Sequence, residues 1–504
     1  MLFLVYFYMI GNYVICAAIA CFSFVWLWSY RKYNYWKDRG IPYDKPYFFF
    51  GNIGFIMRRS VWDYCFELRK RHPTDYVGIF LGWKPTLMVQ TPELARQILK
   101  KDFEYFQDRS VNSNPTDHLG CLNLFTGNNP LWKNVRNEIT PMFTPLRLKA
   151  ITELMNFNAK ELVVRVKQEY INNKNTVNLK QLFSMYVSDT VAYSVFGIRV
   201  SVLNNQNSPL WYITKHMVKW TFWRGFKFIS IFVLPAVAVV LRVQFFSEEA
   251  ANYLKMLFWN VVEERKKTEN VHYKDLVSQL LSLREKLELP VGTDSKLVDE
   301  ILVAQAAAFI FGSVETSSSA LSYCLHELAY HPEEQAKLYN EIEMAVKESG
   351  EDILDYNKLL ELKYMTICIN ETLRKYPPLG YLDRVCLKEY KLNDHVTIEK
   401  GNPVFVNVLA IHYNEKYYPE PMEWRPERFS SYSETDNFDY TFIPFGEGPR
   451  ICIGKRYGMM QMRAALSQLI LKYKVEPAVP YPVTTDPNSY LLAPKNISVK
   501  FIER

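Results

Sequence analysis

The segment Phe445-Gly446-Glu447-Gly448-Pro449-Arg450-Ile451-Cys452-Ile453-Gly454 constrains this chain more than any other stretch. It sets one thiol among glycines and cations, just ahead of an apolar helical run from about Tyr457 to Leu471. Glycines allow the backbone to approach a flat group closely. The amino-terminal end of a helix and nearby cations both favour a thiolate, so the spacing predicts a lowered pKa for Cys452. A lone cysteine is ordinarily a small buried hydrophobe; the pattern F-x-x-G-x-R-x-C-x-G makes Cys452 a candidate metal ligand instead. The remaining cysteines (16, 21, 65, 121, 324, 368 and 386) form no C-x-x-C pair and no regular spacing. That excludes a zinc knuckle and a disulfide framework, and they read as reduced thiols.

Residues 1–30 contain no charge and are rich in Phe, Ile, Val, Leu and Trp. About 20 helical residues cross a bilayer core, so this stretch reads as a transmembrane anchor with Trp26, Trp28 and Tyr30 at its edge. A cleavable leader would have a basic start and a shorter apolar stretch. Arg31, Lys32, Lys37 and Arg39 follow, which by the positive-inside rule places the rest of the chain in the cytosol. Residues 31–46, basic and carrying Pro42 and Pro46, read as a stiff tether in which proline stops the helix. Residues 47–504 then form the folded body of the chain. A net charge of +7 over 504 residues is too mild to argue for a nucleic-acid partner, whereas 15% aromatic residues suits large apolar cavities or a membrane surface.

Beyond the anchor the periodicity is mostly helical, over 94–101, 144–169, 248–267, 297–330, 332–349 and 358–375. Short strands are predicted at 77–80, 86–89, 396–398 and 403–407, giving a mainly α fold with small sheets. A second apolar region, residues 209–247, is broken by Lys215, Lys219, Arg224, Lys227 and Arg242. It fits either an amphipathic face dipping into lipid headgroups or a pair of core helices. Three motifs carry no function: His326 and His331 are five apart where a zinc-protease helix needs four, Gly448…Gly454-Lys455-Arg456 lacks the spacing and hydroxyl of a phosphate loop, and the sequons at Asn370 and Asn496 face the cytosol.

With these motifs in hand the sequence resembles the cytochrome P450 family over essentially its whole length. Glu371-Thr372-Leu373-Arg374 matches the family's E-x-x-R and Pro426-Glu427-Arg428-Phe429 its P-E-R-F, which implies a buried network of Glu371, Arg374 and Arg428. Glu371 and Arg374, three apart, share a helix face. Trp132-x-x-x-Arg136 resembles the W-x-x-x-R helix, and with Arg384 and Arg450 it implies four contacts to haem propionates; guanidinium suits carboxylate by charge and geometry. Cys452 is then the axial ligand of a haem b iron, with Phe445 and Gly448 beside it. A thiolate ligand donates electron density and favours O–O cleavage, as is known of P450s.

Gly312-Ser313-Val314-Glu315-Thr316, inside an otherwise apolar helix, matches the family's Ala/Gly-Gly-x-Asp/Glu-Thr except at Ser313. Glu315 and Thr316 are the implied catalytic acid and hydroxyl. Ser313 adds a hydroxyl that is expected to bond back to its own helix. The resemblance implies a membrane-anchored haem-thiolate monooxygenase fed by NADPH-cytochrome P450 reductase, with cytochrome b5 a further partner, on the cytosolic side of the endoplasmic reticulum membrane. A haem-thiolate isomerase without reductase, or a non-catalytic haem sensor, are the alternatives. Tyr35-Trp36-Lys37-Asp38-Arg39-Gly40, Thr140-Pro141-Met142-Phe143-Thr144 and Tyr381-Leu382-Asp383-Arg384 look like insect family-six and related members, which implies small lipophilic substrates such as plant toxins and insecticides. Lys133, Arg450, Lys455 and Arg456 lie on the motifs of the face that would dock the reductase, with Arg450 engaged by a propionate.

Overall fold

The computed structural model describes residues 2–504 apart from 49, 53–59, 112, 174, 206, 268–274, 287–293 and 432–439. A helix α1 runs Leu2–Tyr33, past the predicted end at residue 30. It stops before the prolines: a short turn at Lys37–Arg39 follows, closed by Gly40 in the left-handed region. The tether lies against the body. Trp36 is buried and its indole N–H donates to the carbonyl of Ile79 at 3.0 Å, over Gly78, where any side chain would collide with the Trp36 ring. Trp83 Nε1 donates to Ser29 Oγ at 3.0 Å, joining the end of α1 to the first sheet. By length and composition this apolar N-terminal helix is a candidate membrane span.

The helices that build the site are α2 (Leu131–Ile139), α3 (Pro145–Arg165), α4 (Leu179–Phe196), α5 (Pro209–Val218), α6 (Phe222–Phe232), α7 (Pro235–Val240), α8 (Ser295–Tyr330), α9 (Lys363–Lys375) and α10 (Lys455–Lys472). The long helix α8 starts where the Asp294 carboxylate accepts the N–H of Lys296, and it ends ahead of Pro332. It is apolar nearly all round because it is a core helix, packed by α4, α5, α9 and α10. Asn178 caps α4 through the N–H of Gln181, and Gly197 at φ 69° terminates it.

Four strands form the main sheet: β1 (Tyr76–Leu81), β2 (Lys84–Val89), β3 (Tyr381–Val385) and β4 (Pro403–Asn407), in the order β1-β2-β4-β3. β1 and β2 form an antiparallel hairpin, β2 and β4 pair in parallel with Leu87 opposite Val404, and β3 returns antiparallel with Arg384 opposite Val404. Two more strands, β5 (Tyr473–Pro477) and β6 (Ser498–Glu503), pair antiparallel near the end of the chain.

The helix expected over 358–375 is two, Tyr356–Glu361 and α9, because the Glu341 carboxylate caps a new start by accepting the N–H groups of Tyr364 (2.6 Å) and Met365 (2.9 Å). Residues 209–247 form three short helices. Trp211, Ile213, Phe228 and Phe232 are buried, as in the core-helix reading, while Trp223 and Val240 are 70% and 80% exposed.

Candidate functional site

A cavity of about 310 Å³ lies between α2, α8, β3 and the Phe445–Gly454 loop. That loop is folded by its own backbone. The N–H of Cys452 donates to the carbonyl of Phe445 at 2.9 Å and that of Ile451 to Gly448 at 3.0 Å, with Gly446 at φ 74° and Gly448 at φ 75° supplying the left-handed steps. Phe445, Gly446, Arg450 and Cys452 line the cavity. Gly448 does not: it packs against the backbone of Leu99, whose carbonyl oxygen fills the place a Cβ would need. That close approach requires glycine here.

Cys452 is exposed by surface area, and it lines the cavity. Burial pushes the free thiol up, against the lowering effects of the Gly454 backbone and of Arg136, Arg109 and Lys455. The expected lowering thus has its causes in place and is outweighed by desolvation; metal coordination removes the proton outright.

At one edge of the cavity three buried arginines crowd together. Arg109 Nη1 pairs with Asp383 Oδ1 at 2.7 Å, Arg384 Nη1 donates to the Asp383 carbonyl at 2.7 Å, and Arg450 Nη2 donates to the Gly127 carbonyl at 3.0 Å. Arg450 also stacks 4.2 Å over the Trp132 ring. The Nε atoms of all three, and Nη1 of Arg450, are buried with no protein partner among the described residues. Burial, reinforced by Arg109 and Arg384, pulls Arg450 down to about 8, and burial with Arg109 pulls Arg384 down to about 9. Buried cations short of counter-charge and with spare N–H donors fit an anionic ligand bearing carboxylates. Trp132 and Arg136, on one face of α2, line the same cavity. Sequence reading missed Arg109. Asp108-Arg109 and Asp383-Arg384 are both acid-base dipeptides, but nothing in one sequence says that they meet.

On α8, Gly312, Ser313 and Thr316 line the cavity. Thr316 Oγ1 donates back to the Gly312 carbonyl at 2.6 Å. Ser313 makes no such bond: among the described residues its hydroxyl has no hydrogen-bond partner, contrary to expectation. Glu315 does not line the cavity. It is buried on the other side of the helix, with Oε1 3.2 Å from Lys180 Nζ and accepting Trp220 Nε1 at 3.1 Å.

Behind the loop, Glu371 and Arg374 form a fully buried bidentate pair at 2.7 and 2.8 Å. Arg428 joins Glu371 at 3.3 Å. The three expected members meet, away from the cavity wall. His412, which the sequence did not single out, ties Arg374 to Ile443 at the start of the cysteine loop.

The chain matches the cytochrome P450 family model over residues 41–501. It belongs to the cytochrome P450 family. This P450 is 31% identical to cytochrome P450 6k1 of Blattella germanica over 482 residues, 92% of this chain and 91% of that protein. It is 32% identical to cytochrome P450 6l1 of the same organism over 480 residues, 94% and 92% of the two chains. It is 31% identical to probable cytochrome P450 6w1 of Drosophila melanogaster over 503 residues, 94% and 96%. The expected likeness to insect family-six members is borne out. Such homologues are monooxygenases, and the family carries haem on a cysteine thiolate.

Proposed function

We propose that this P450 is a microsomal monooxygenase that places one oxygen atom from O₂ into small lipophilic compounds, xenobiotics such as plant toxins and insecticides. NADPH-cytochrome P450 reductase supplies the electrons, with cytochrome b5 as a second donor. α1 anchors the protein in the endoplasmic reticulum membrane with the catalytic domain in the cytosol. One observation carries the reading: a cysteine sulfur, a crowd of undercharged arginines and the Gly312–Thr316 step open on the same largely apolar cavity.

Cys452 would supply the thiolate that holds the haem iron, Arg384, Arg450, Arg136, Trp132 and Arg109 would hold the propionates, and Phe445 packs the loop. Bound there, haem iron supplies dioxygen activation. The chain's own residues do the rest. The arginines exchange desolvation for carboxylate bonds, fixing the cofactor's orientation. Phe125, Phe311 and Leu382 exclude water and take up apolar substrate. The Thr316 hydroxyl, held by the Gly312 carbonyl, keeps a movable proton at the α8 wall of the cavity, beside the Ser313 hydroxyl. Glu315 is the acid that replenishes it.

NADPH-dependent turnover of a panel of lipophilic compounds, with purified reductase in vesicles, tests the reading. Product formed only with NADPH and reductase supports it. Turnover of peroxides without reductase, or binding with no turnover, would establish the isomerase or the sensor instead. For the ligand, Cys452→Ser is expected to abolish the thiolate-specific band of the reduced carbon-monoxide spectrum, and Cys386→Ser to leave it.

A further inference from the structure

Gln305 is fully buried on α8, about two turns before Gly312, and residues seven apart share one face of a helix. Its Oε1 accepts the backbone N–H of Leu124 at 2.7 Å, and its Nε2 donates to the Leu122 carbonyl at 2.9 Å. The second Nε2 proton goes to the Ile301 carbonyl of its own helix at 2.9 Å, which holds the side chain in place. Two carbonyls and one N–H fix which end of the amide is oxygen and which is nitrogen.

The loop held in this way is bonded into a unit of its own. Asn123 Nδ2 donates to the carbonyls of Leu119 and Gly120 at 2.9 and 3.1 Å, and its Oδ1 accepts the N–H groups of Phe125 and Thr126 at 2.9 and 3.1 Å. Thr126 Oγ1 donates to the Gly120 carbonyl at 2.6 Å. Residues 119–126 therefore shift as one body. The flanks of this body are tied to other elements: the Asp117 carboxylate accepts the N–H of Phe245 at 2.6 Å, and Arg450 donates to the Gly127 carbonyl at 3.0 Å. From α8, among the described residues, only Gln305 reaches the loop with side-chain hydrogen bonds.

We propose that Gln305 is a positioning residue that determines specificity: its carboxamide sets how far the Leu124–Phe125 wall stands from α8, and with it the thickness of compound the cavity admits, favouring flat apolar substrates over bulky ones. The inference rests on the reading of this cavity as the haem and substrate site. Leu124 and Phe125 line it from the loop, and Phe309, Gly312 and Ser313 line it from α8. A Cβ on Gly312 would meet nothing within 4 Å, so α8 presents open space there, and the spacing of the two walls is set by what holds the loop. Without the carboxamide the Leu124 N–H and the Leu122 carbonyl lose their partners and must find water, which moves the whole unit.

Gln305→Met keeps the length of the side chain and removes its hydrogen bonds, while Gln305→Glu keeps an oxygen for the Leu124 N–H and loses the amide donors. Binding of imidazole, of flat 1-phenylimidazole and of bulky clotrimazole to the holoenzyme is followed by the shift of the haem absorption band. In Gln305→Met the carbon-monoxide spectrum and the affinity for imidazole are expected to be retained. The affinity for clotrimazole relative to 1-phenylimidazole should rise at least about tenfold, the scale of one buried hydrogen bond lost. Gln305→Glu should fall between that variant and the wild type. Amide hydrogen exchange over residues 119–126 should quicken in the same order, a readout independent of turnover. A Gln305→Met enzyme with the wild-type ratio overturns the proposal, and so does one in which all three ligands weaken alike, because a merely structural role would not sort them by size. Should Gln305→Met fail to retain haem, Gln305→Glu decides alone, and an unchanged ratio there overturns the proposal. Wild-type holoenzyme that binds none of the three overturns the reading of the cavity itself, whereas wild-type binding with unsorted variants removes Gln305 only.

Discussion

His412 accepts the backbone N–H of Ile443 at Nε2, 3.0 Å away, and its Nδ1 lies 3.0 Å from the carbonyl oxygen of Arg374. Only a neutral ring with its proton on Nδ1 satisfies both partners. Burial enforces that state by holding the ring well below its usual value, at about 3. One imidazole thus braces the cysteine loop against the buried Glu371–Arg374 pair.

His412→Ala leaves the Ile443 N–H and the Arg374 carbonyl unpaired, and each such buried group costs about 1–3 kcal/mol. The expected result is a lower melting temperature together with poorer haem retention, read by thermal unfolding and by the haem-to-protein absorbance ratio. Arg374→Ala should be worse than Arg428→Ala. Arg374 is wholly buried with five acceptor atoms, and uncovering Glu371 there costs about 3–5 kcal/mol, whereas the Arg428 side chain sits at the edge of the network. Equal melting temperatures for the two variants would contradict the brace.

Acid should weaken the fold through its buried histidines. His326, on α8 beside Tyr330 and Tyr481, is held at about 4 by burial, and His412 at about 3. An unfolded histidine titrates near 6.5. Between that value and the folded one the unfolded chain binds more protons, so stability is present above about pH 6.5 and falls as pH drops. Each ring removes about 1.4 kcal/mol per pH unit over that window. His326→Phe keeps the ring contacts and cannot titrate, so its stability should fall less steeply between pH 6.5 and 4. Denaturant unfolding at a series of pH values measures the slope, and a slope equal to that of the wild type refutes the assignment.

Arg109 should matter for cofactor retention as much as the arginines visible in motifs. Arg109→Leu leaves Asp383 as a buried carboxylate with no guanidinium partner at 2.7 Å and removes one spare donor from the edge of the cavity. Losing one partner of a buried pair costs about 3–5 kcal/mol. Haem loss to apomyoglobin should accelerate by at least about tenfold, and Arg109→Lys should restore only part of it because the ammonium lacks the fork. An unchanged rate of loss would remove Arg109 from the site.

The elements legible in the sequence are those whose period is long and whose face is uniform. α8 and the apolar run of α10 repeat for many turns, and the cysteine loop announces itself by spacing. β3, β5 and β6 are not legible because five or six residues interrupted by charges, Asp383-Arg384 in β3, Lys474 and Glu476 in β5, Lys500 and Glu503 in β6, carry too short a pattern. At the site, the motif residues were legible singly and their meetings were not. Arg109 reaches Asp383 across 274 positions and His412 reaches Ile443 across 31, contacts set by tertiary packing. Which side of α8 the acid takes was also hidden. One residue of helix turns a side chain by about 100°, so Glu315 and Thr316, adjacent in sequence, face different neighbours.

That separation sharpens the test of the hydroxyl itself. Thr316 lines the cavity with its hydroxyl on the Gly312 carbonyl, while Ser313 lines it with a hydroxyl that has no partner among the described residues. Thr316→Ala should leave the haem spectrum and substrate binding nearly intact while NADPH consumption continues and peroxide replaces product, a loss of coupling of about 10²-fold if one relay is removed. The free Ser313 hydroxyl can take over part of that relay. Ser313→Gly, which restores the family pattern, should therefore be mild alone and deepen the uncoupling of Thr316→Ala, a non-additive result expected only of groups that share one proton path. Peroxide and product measured per NADPH in both single variants and the double variant decide it. Full coupling in the double variant would mean that protons reach the cavity without either hydroxyl, and the polar step in α8 would be left with a purely structural part.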